Sequence, residues 1–321
     1  MDLTLLVENL RNPALLFYLL GIAAVYLKSD LEIPANSSKF ISIYLLFSIG
    51  FKGGQELSTE VFNQEVWLTI GMGILVSVLI PIYCFFIARR KLNLFDSGAI
   101  AAAYGSISAV TFITAISYLE LLDLHPKGFM VALMAIMEVP AIIAGLLLIS
   151  IFNKDTTGPR IKKRVALRHS ITNGSVFLIL GSLLIGYLAT AEQAKGIEPF
   201  TTDIFKGFLA VFLLDMGISS GRKLNYFFKG GLFPLLFAIA IPLFNGSVVA
   251  WLSGLVSDDI SSRFLLAILA ASASYIAVPA AMKLTVPQAN PGLFLPMALG
   301  ITFPVNVTIG IPLYMYLVQS L

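Results

Sequence analysis

Cysteine is all but missing from this 321-residue chain, with Cys84 alone inside an apolar stretch. A single thiol excludes a disulfide framework, a cysteine zinc cluster and a cysteine-based catalytic dyad, leaving a packing role. Histidine is nearly as scarce: His125 and His169 fall in predicted loops with no carboxylate or thiolate beside them, a poor metal site. Charged residues make up 12% of the chain, where a soluble domain carries about a quarter. Against that deficit stand 58% hydrophobic residues and a mean hydropathy of +0.89, the composition of an integral membrane protein. The net charge of +3 does not point to nucleic acid, because the basic residues flank apolar spans instead of forming a surface stripe. There is no His-Glu-x-x-His helix and no convincing Ser-His or paired-aspartate arrangement, so an intramembrane enzyme lacks its chemistry. Glycosylation-type triplets at Asn36, Asn173, Asn245 and Asn306 lie in or beside apolar spans and decide nothing. The N-terminus has no cleavable signal pattern, so the first span is expected to be retained.

What the chain does have is a matched pair of apolar segments, each interrupted by small and polar residues. One runs Ala-Ala-Ala-Tyr-Gly-Ser-Ile-Ser-Ala-Val from Ala101 to Val110, the other Leu-Ala-Ala-Ser-Ala-Ser-Tyr-Ile-Ala-Val from Leu269 to Val278. A constant offset of 168 pairs Ala102 with Ala270, Ser106 with Ser274 and Val110 with Val278. A helix stopped inside a bilayer leaves backbone N–H groups without partners, which protein or a hydrated cavity must supply. Its N-terminal end carries partial positive charge, and two such ends facing each other make a compact anion site of amides and hydroxyls. Small residues also let membrane helices pack closely. Their recurrence at one offset in two halves favours a transport site.

With a window of about 20 residues, ten spans are predicted, in two groups of five. The first five are Pro13 to Leu27, Ala35 to Gly53, Val66 to Ala88, Ser97 to Leu119 and Gly128 to Phe152. The second five are Ser175 to Ala191, Ile204 to Ser220, Gly230 to Leu255, Phe264 to Leu284 and Leu293 to Val318. The second and seventh repeat one another at an offset of 167, matching Lys39, Leu46, Gly50, Gly54 and Leu57 to Lys206, Leu213, Gly217, Gly221 and Leu224. The expected fold is therefore an all-α membrane protein of about ten transmembrane helices. It forms two inverted five-helix repeats, 1–152 and 173–321, with broken helices at the midplane. The polar segment 153–172, with Gly158-Pro159 and the run Arg160, Lys162, Lys163, Arg164 and Arg168, reads as a basic cytoplasmic linker. Most of the 21 basic residues fall in alternate loops, which places both termini outside the cytoplasm of a plasma (inner) membrane.

Two acids lie inside apolar spans, Glu138 and Asp215. A buried carboxylate is costly unless it faces a pathway, a cation or a partner, so both are candidates for ion coupling. Glu138 precedes Pro140, which frees a nearby carbonyl; together they supply oxygens for a sodium ion. Pro304 is the second half's rough counterpart, and Thr302, Asn306 and Thr308 add oxygen donors around it, equally suited to interhelical hydrogen bonds. Asp215 lies two turns before Arg222 and fits an interfacial position.

Over most of its length the chain resembles the cyanobacterial-type sodium-dependent bicarbonate transporters. The resemblance rests on Gly105-Ser-Ile-Ser108-Ala-Val-Thr111, Met137-Glu-Val-Pro-Ala141, Ala271-Ser272-Ala-Ser274-Tyr-Ile-Ala-Val-Pro279, Val286-Pro-Gln-Ala-Asn-Pro291 and Ile311-Pro-Leu313. It implies bicarbonate held between the broken-helix ends, sodium-driven uptake, a homotrimer and a PII-like cytosolic regulator. Gly105, Ser108 and Thr111 resemble the family's first anion segment, Ser272 and Ser274 its second. Glu138 stands where the family has Asp, and so does Tyr275. The linker is shorter than the family's.

The substrate-binding set expected is thus Tyr104, Gly105, Ser106, Ser108, Thr111, Ser272, Ala273, Ser274 and Tyr275, with ion coupling at Glu138, Thr302, Asn306 and Asp215. The reading is a secondary transporter of a small anion, bicarbonate first, with sodium as coupling ion near Glu138. Its alternatives are a proton-coupled or sodium-independent carrier of another small anion, or a non-transporting sensor descended from such a permease. A channel needs no inverted pair of breaks.

Overall fold

The computed structural model describes residues 13–153, 174–227 and 231–320. The expected linker, apart from Asn153, lies outside them with its basic run, as do Arg11, His169, Asn173 and Lys229. All regular structure among the described residues is helical.

The first part of the chain forms α1 (Pro13–Tyr26), α2 (Ala35–Thr59), α3 (Gln64–Arg89), α4 (Leu94–Gly105), α5 (Ala109–Leu121) and α6 (Phe129–Phe152). The second forms α7 (Gly174–Leu188), the short α8 (Ala191–Lys195), α9 (Phe205–Phe227), α10 (Leu232–Leu252), α11 (Ile260–Ala271), α12 (Ala277–Thr285) and the long α13 (Pro291–Ser320). Short polar side chains start several of them. Asn63 accepts from the Val66 N–H, Asn93 from that of Asp96 and Asp259 from that of Ser262, satisfying donors that a helix start leaves open.

Among the described residues, six helical stretches are long and apolar enough to cross a membrane: Gln64–Arg89, Leu94–Leu121, Phe129–Phe152, Pro199–Arg222, Leu232–Leu255 and Pro291–Ser320. The chain is a multi-pass membrane protein. Within Leu94–Leu121, 94% of the apolar window is buried in the protein, against 33% in Gln64–Arg89. The interrupted segment is therefore shielded from lipid, the one place where an irregular backbone is tolerated.

α1 lies along α9, and α2 along α7, so a helix near the start of each part packs on the second part or the first in exchange. Glycine sets how closely they approach. A Cβ at Gly217 would stand 2.1 Å from the Tyr18 carbonyl oxygen, and one at Gly54 the same distance from that of Leu183. These glycines belong to the repeated spans, and their identity follows from backbone contact. α2 runs on to Thr59 where the sequence predicts an end at Gly53. α4 packs between α3 and α6, and α11 against α10 and α13. Pro81, Pro140 and Pro242 sit inside α3, α6 and α10. In α13, π-helical turns at Pro296–Thr302 and Asn306–Gly310 widen the coil.

Candidate functional site: two broken helices around one cavity

The first break, residues 106–108, separates α4 from α5; the second, residues 272–276, separates α11 from α12. Ser106 and Ser272 occupy equivalent places in them, each extended at the C-terminus of its half-helix with ψ of 174° and 166°, so the structural match is two residues off the sequence pairing of Ser106 with Ser274. The two breaks cross and bond to one another. The Ser108 N–H donates to Ser272 Oγ at 3.0 Å, and the Ser274 N–H donates to the Ala103 carbonyl at 2.8 Å. Each break thus takes up a polar group that the other leaves open.

Ser108 and Ser274 also serve the half-helices that follow. Ser108 Oγ accepts from the Thr111 N–H at 3.2 Å, and Ser274 Oγ from the Val278 N–H at 3.3 Å. A hydroxyl that accepts in this way still has its proton to donate. Ser272 differs, since its Oγ accepts from Ser108 and donates to the Leu269 carbonyl at 2.9 Å. It joins the breaks and has no proton left for a ligand.

Ser108, Ser274, Tyr275 and Glu138 line one cavity of about 30 Å³, with Ser42 of α2 and Phe212 of α9 opposite. The starts of α5 and α12 contribute Ala109, Val110 and Ala277, which brings both helix N-termini to the same space. Ser42, Leu46, Phe212, Tyr275 and Ile276 also line a vestibule of about 850 Å³, bordered by Lys39, Asp215 and Arg222. The cavity therefore adjoins the vestibule at the end of the bundle that bears Lys39 and Arg222.

Ion pairs gather at the other end. Glu120, near the C-terminus of α5, pairs with Lys206 of α9 at 3.2 Å and Lys52 of α2 at 3.7 Å, while Lys127 and Glu65 stand 3.9 Å apart. A cavity of about 70 Å³ beside them shares no lining residue with the site. Burial pushes the Glu60 carboxyl upward at this end, and Lys127 opposes the shift.

Of the expected anion-binding set, Ser108, Ser274 and Tyr275 reach the cavity wall. Tyr275 lies by the Ser108 side chain, its buried hydroxyl making no hydrogen bond of ordinary geometry. Tyr104 packs edge-on against Phe237 and pairs with Thr302 Oγ1 at 2.8 Å; Thr302 in turn donates to the Ala238 carbonyl at 2.8 Å. Gly105 abuts Pro81, where a Cβ would meet the ring at 2.1 Å. Ser106, Thr111, Ser272 and Ala273 are buried around the crossing, and Ser106 Oγ has no partner.

The expected ion-coupling residues are dispersed. Glu138 alone lines the cavity, buried, with no hydrogen bond or ion pair to another described residue. Asn306 donates to the Ala271 carbonyl at 2.7 Å and accepts from the Tyr314 hydroxyl at 3.0 Å. Asp215 accepts from the Ser38 hydroxyl, between α2 and α9 in the vestibule. Among the described residues, no three His, Cys, Asp or Glu gather to hold a metal ion.

Three contributors go unread in the sequence. Ser42 faces the cavity from a repeated span. Asn245 donates to the Ala270 carbonyl at 3.2 Å while accepting from the Tyr83 hydroxyl, so with Asn306 it closes the end of α11. Asp96 accepts from the Asn290 N–H at 2.7 Å, tying the start of α4 to the Ala-Asn-Pro segment. The available signal for Asn245 was an amide inside an apolar span.

Broken helices that meet beside a buried cavity inside a helical membrane bundle are the arrangement of a transporter. Residues 13–319 match the model of the Na+-dependent bicarbonate transporter superfamily, and the chain belongs to that family, which is one of transporters and not of enzymes. No curated protein matches the chain.

Proposed function

We propose that this protein is a secondary active transporter that takes up bicarbonate together with sodium by alternating access. The observation that carries the reading is the shared cavity, where two helix N-termini and two serine hydroxyls with unspent protons converge without a fixed cation. Family membership supplies the substrates to test, bicarbonate and sodium. Glu138 is the proposed sodium contact; Thr302, Asn306 and Asp215 act on the ion through the helices they join or the vestibule they border.

The proposed architecture is two inverted five-helix repeats, 1–152 and 173–321, joined by a basic linker at 153–172. The exchange of α1 onto α9 and of α2 onto α7 supports it, as does the like geometry of the two breaks. Positive-inside counting puts the Lys39 and Arg222 end in the cytoplasm, the membrane being the plasma (inner) membrane and the termini outside. The conformation is then inward-facing, with the ion pairs of Glu120 closing the outer side. Transport moves the breaks with α4, α5, α11 and α12 against α2 and α9, exposing the site to each side in turn. A homotrimer and a PII-like regulator acting on the cytoplasmic face complete the proposal.

Labelled bicarbonate uptake into proteoliposomes tests it, with and without an inward sodium gradient. Saturable uptake that requires the gradient is expected. Equal uptake without sodium favours proton coupling through Glu138, and binding without flux favours a sensor.

A further inference from the structure

We propose that Glu138 makes the site select anions that carry their own O–H group, by accepting a hydrogen bond from that hydroxyl. The inference rests on the cavity being the anion site. It adds what that site distinguishes.

The lining of the cavity holds two kinds of polar group. One donates: Ser108 and Ser274 accept from the Thr111 and Val278 N–H groups, so their protons are left to donate, and the Tyr275 hydroxyl by Ser108 makes no hydrogen bond of ordinary geometry. These donors suit the bare oxygens of an anion. The other accepts: Glu138 is the one charged residue among the described lining residues, 5% exposed, with no lysine or arginine beside it in that lining. Held ionised by the sodium ion proposed beside it, the carboxylate only accepts hydrogen bonds.

An anion made solely of acceptors, such as nitrate, meets the donors well but sets its own oxygen against Glu138. Like charges repel strongly where the surroundings are apolar. Bicarbonate has the same planar outline and one hydroxyl besides. Its bare oxygens face the serines while its O–H donates to the carboxylate, a charge-assisted bond that nitrate cannot make. Sites built to pair with a substrate hydroxyl reject analogues lacking it far more strongly than sites that judge size. The carboxylate has a second oxygen, so sodium and substrate hydroxyl can share Glu138, which would couple them through one side chain.

The test is calorimetric binding of bicarbonate and of nitrate to the full-length purified protein, in sodium at mildly alkaline pH, for the wild type, Glu138→Gln and Glu138→Asp. The wild type is expected to bind bicarbonate at least about tenfold tighter than nitrate. Glu138→Gln, whose amide can donate to nitrate, should bring that ratio below about threefold, and Glu138→Asp, which keeps the acceptor, should preserve it. Nitrate binding as tightly as bicarbonate in the wild type overturns the inference. So does an unchanged ratio in Glu138→Gln, or an equal loss of preference in Glu138→Asp. If Glu138→Gln does not assemble, the wild-type ratio and Glu138→Asp decide. A wild type that binds neither anion refutes the anion site itself and is thereby distinguished from failure of the selectivity alone.

Discussion

Replacing Ser108 and Ser274 together by alanine removes both hydroxyls that the broken helices direct at the cavity. Each hydroxyl has two tasks in the structure. Its oxygen accepts a backbone N–H at the start of a half-helix, at 3.2 and 3.3 Å, and in the proposed role its proton is donated to the anion. A hydrogen bond to a charged group contributes about 1.5–3 kcal/mol, so two lost bonds weaken anion binding by about 3–6 kcal/mol. That is roughly two to four orders of magnitude in affinity. Losing each cap costs about 1 kcal/mol of stability, moderate beside the packing that surrounds both breaks. Saturable labelled-bicarbonate uptake in proteoliposomes should fall below detection, while size-exclusion profiles and detergent melting show an assembled protein. Ser108→Thr with Ser274→Thr keeps both hydroxyls and should retain part of the uptake. Wild-type uptake by the double alanine variant would refute the assignment of these serines to the anion.

Gly217→Val tests the helix crossing, because even a Cβ there would stand 2.1 Å from the Tyr18 carbonyl oxygen. Overpacking of about 1–3 kcal/mol or more is expected, seen as a lowered melting temperature in detergent; an unaltered melt would show that the crossing relaxes freely. Glu120→Gln tests outer closure, since it removes the pairs to Lys52 and Lys206. Exposed pairs contribute about 0.2–1 kcal/mol each, so the outward-open fraction should rise about twofold to thirtyfold. A reporter cysteine at Ile116, which lines the outer cavity, reads this as faster labelling by an impermeant maleimide, the native Cys84 being buried. Unchanged labelling would mean that these pairs do not hold the outer side shut.

Much of the site was legible in residues 101–110 and 269–278, because a run of alanines broken by serine and glycine cannot continue a lipid-facing helix without cost. The same residues could not show how the gap is filled. The Ser108 N–H bonds to Ser272, and Asp96 to the Asn290 N–H, across 164 and 194 residues. Local pattern carries no trace of such pairings. Asn245 and Asn306 illustrate the point: each stands in an Asn-X-Ser/Thr triplet, yet both are buried amides that accept and donate at the end of α11. Gly54 and Gly217 were visible as repeated glycines, but their contacts with Leu183 and Tyr18 appear only once the two parts of the chain are packed together.

Composition and spacing alone determined that the chain lives in a membrane, where it is interrupted, and which residue types surround the interruptions, since the bilayer allows few backbone solutions and punishes every exposed polar group. Tertiary structure alone decided which of those residues face the cavity. Ser108 and Ser274 keep a proton for the cavity, whereas Ser272 spends its own on the Leu269 carbonyl, and Glu138 reaches the same space while Asn306 and Asp215 are held elsewhere. A hydroxyl or carboxyl acquires its role from the partners that reach it first, and those partners come from distant parts of the chain.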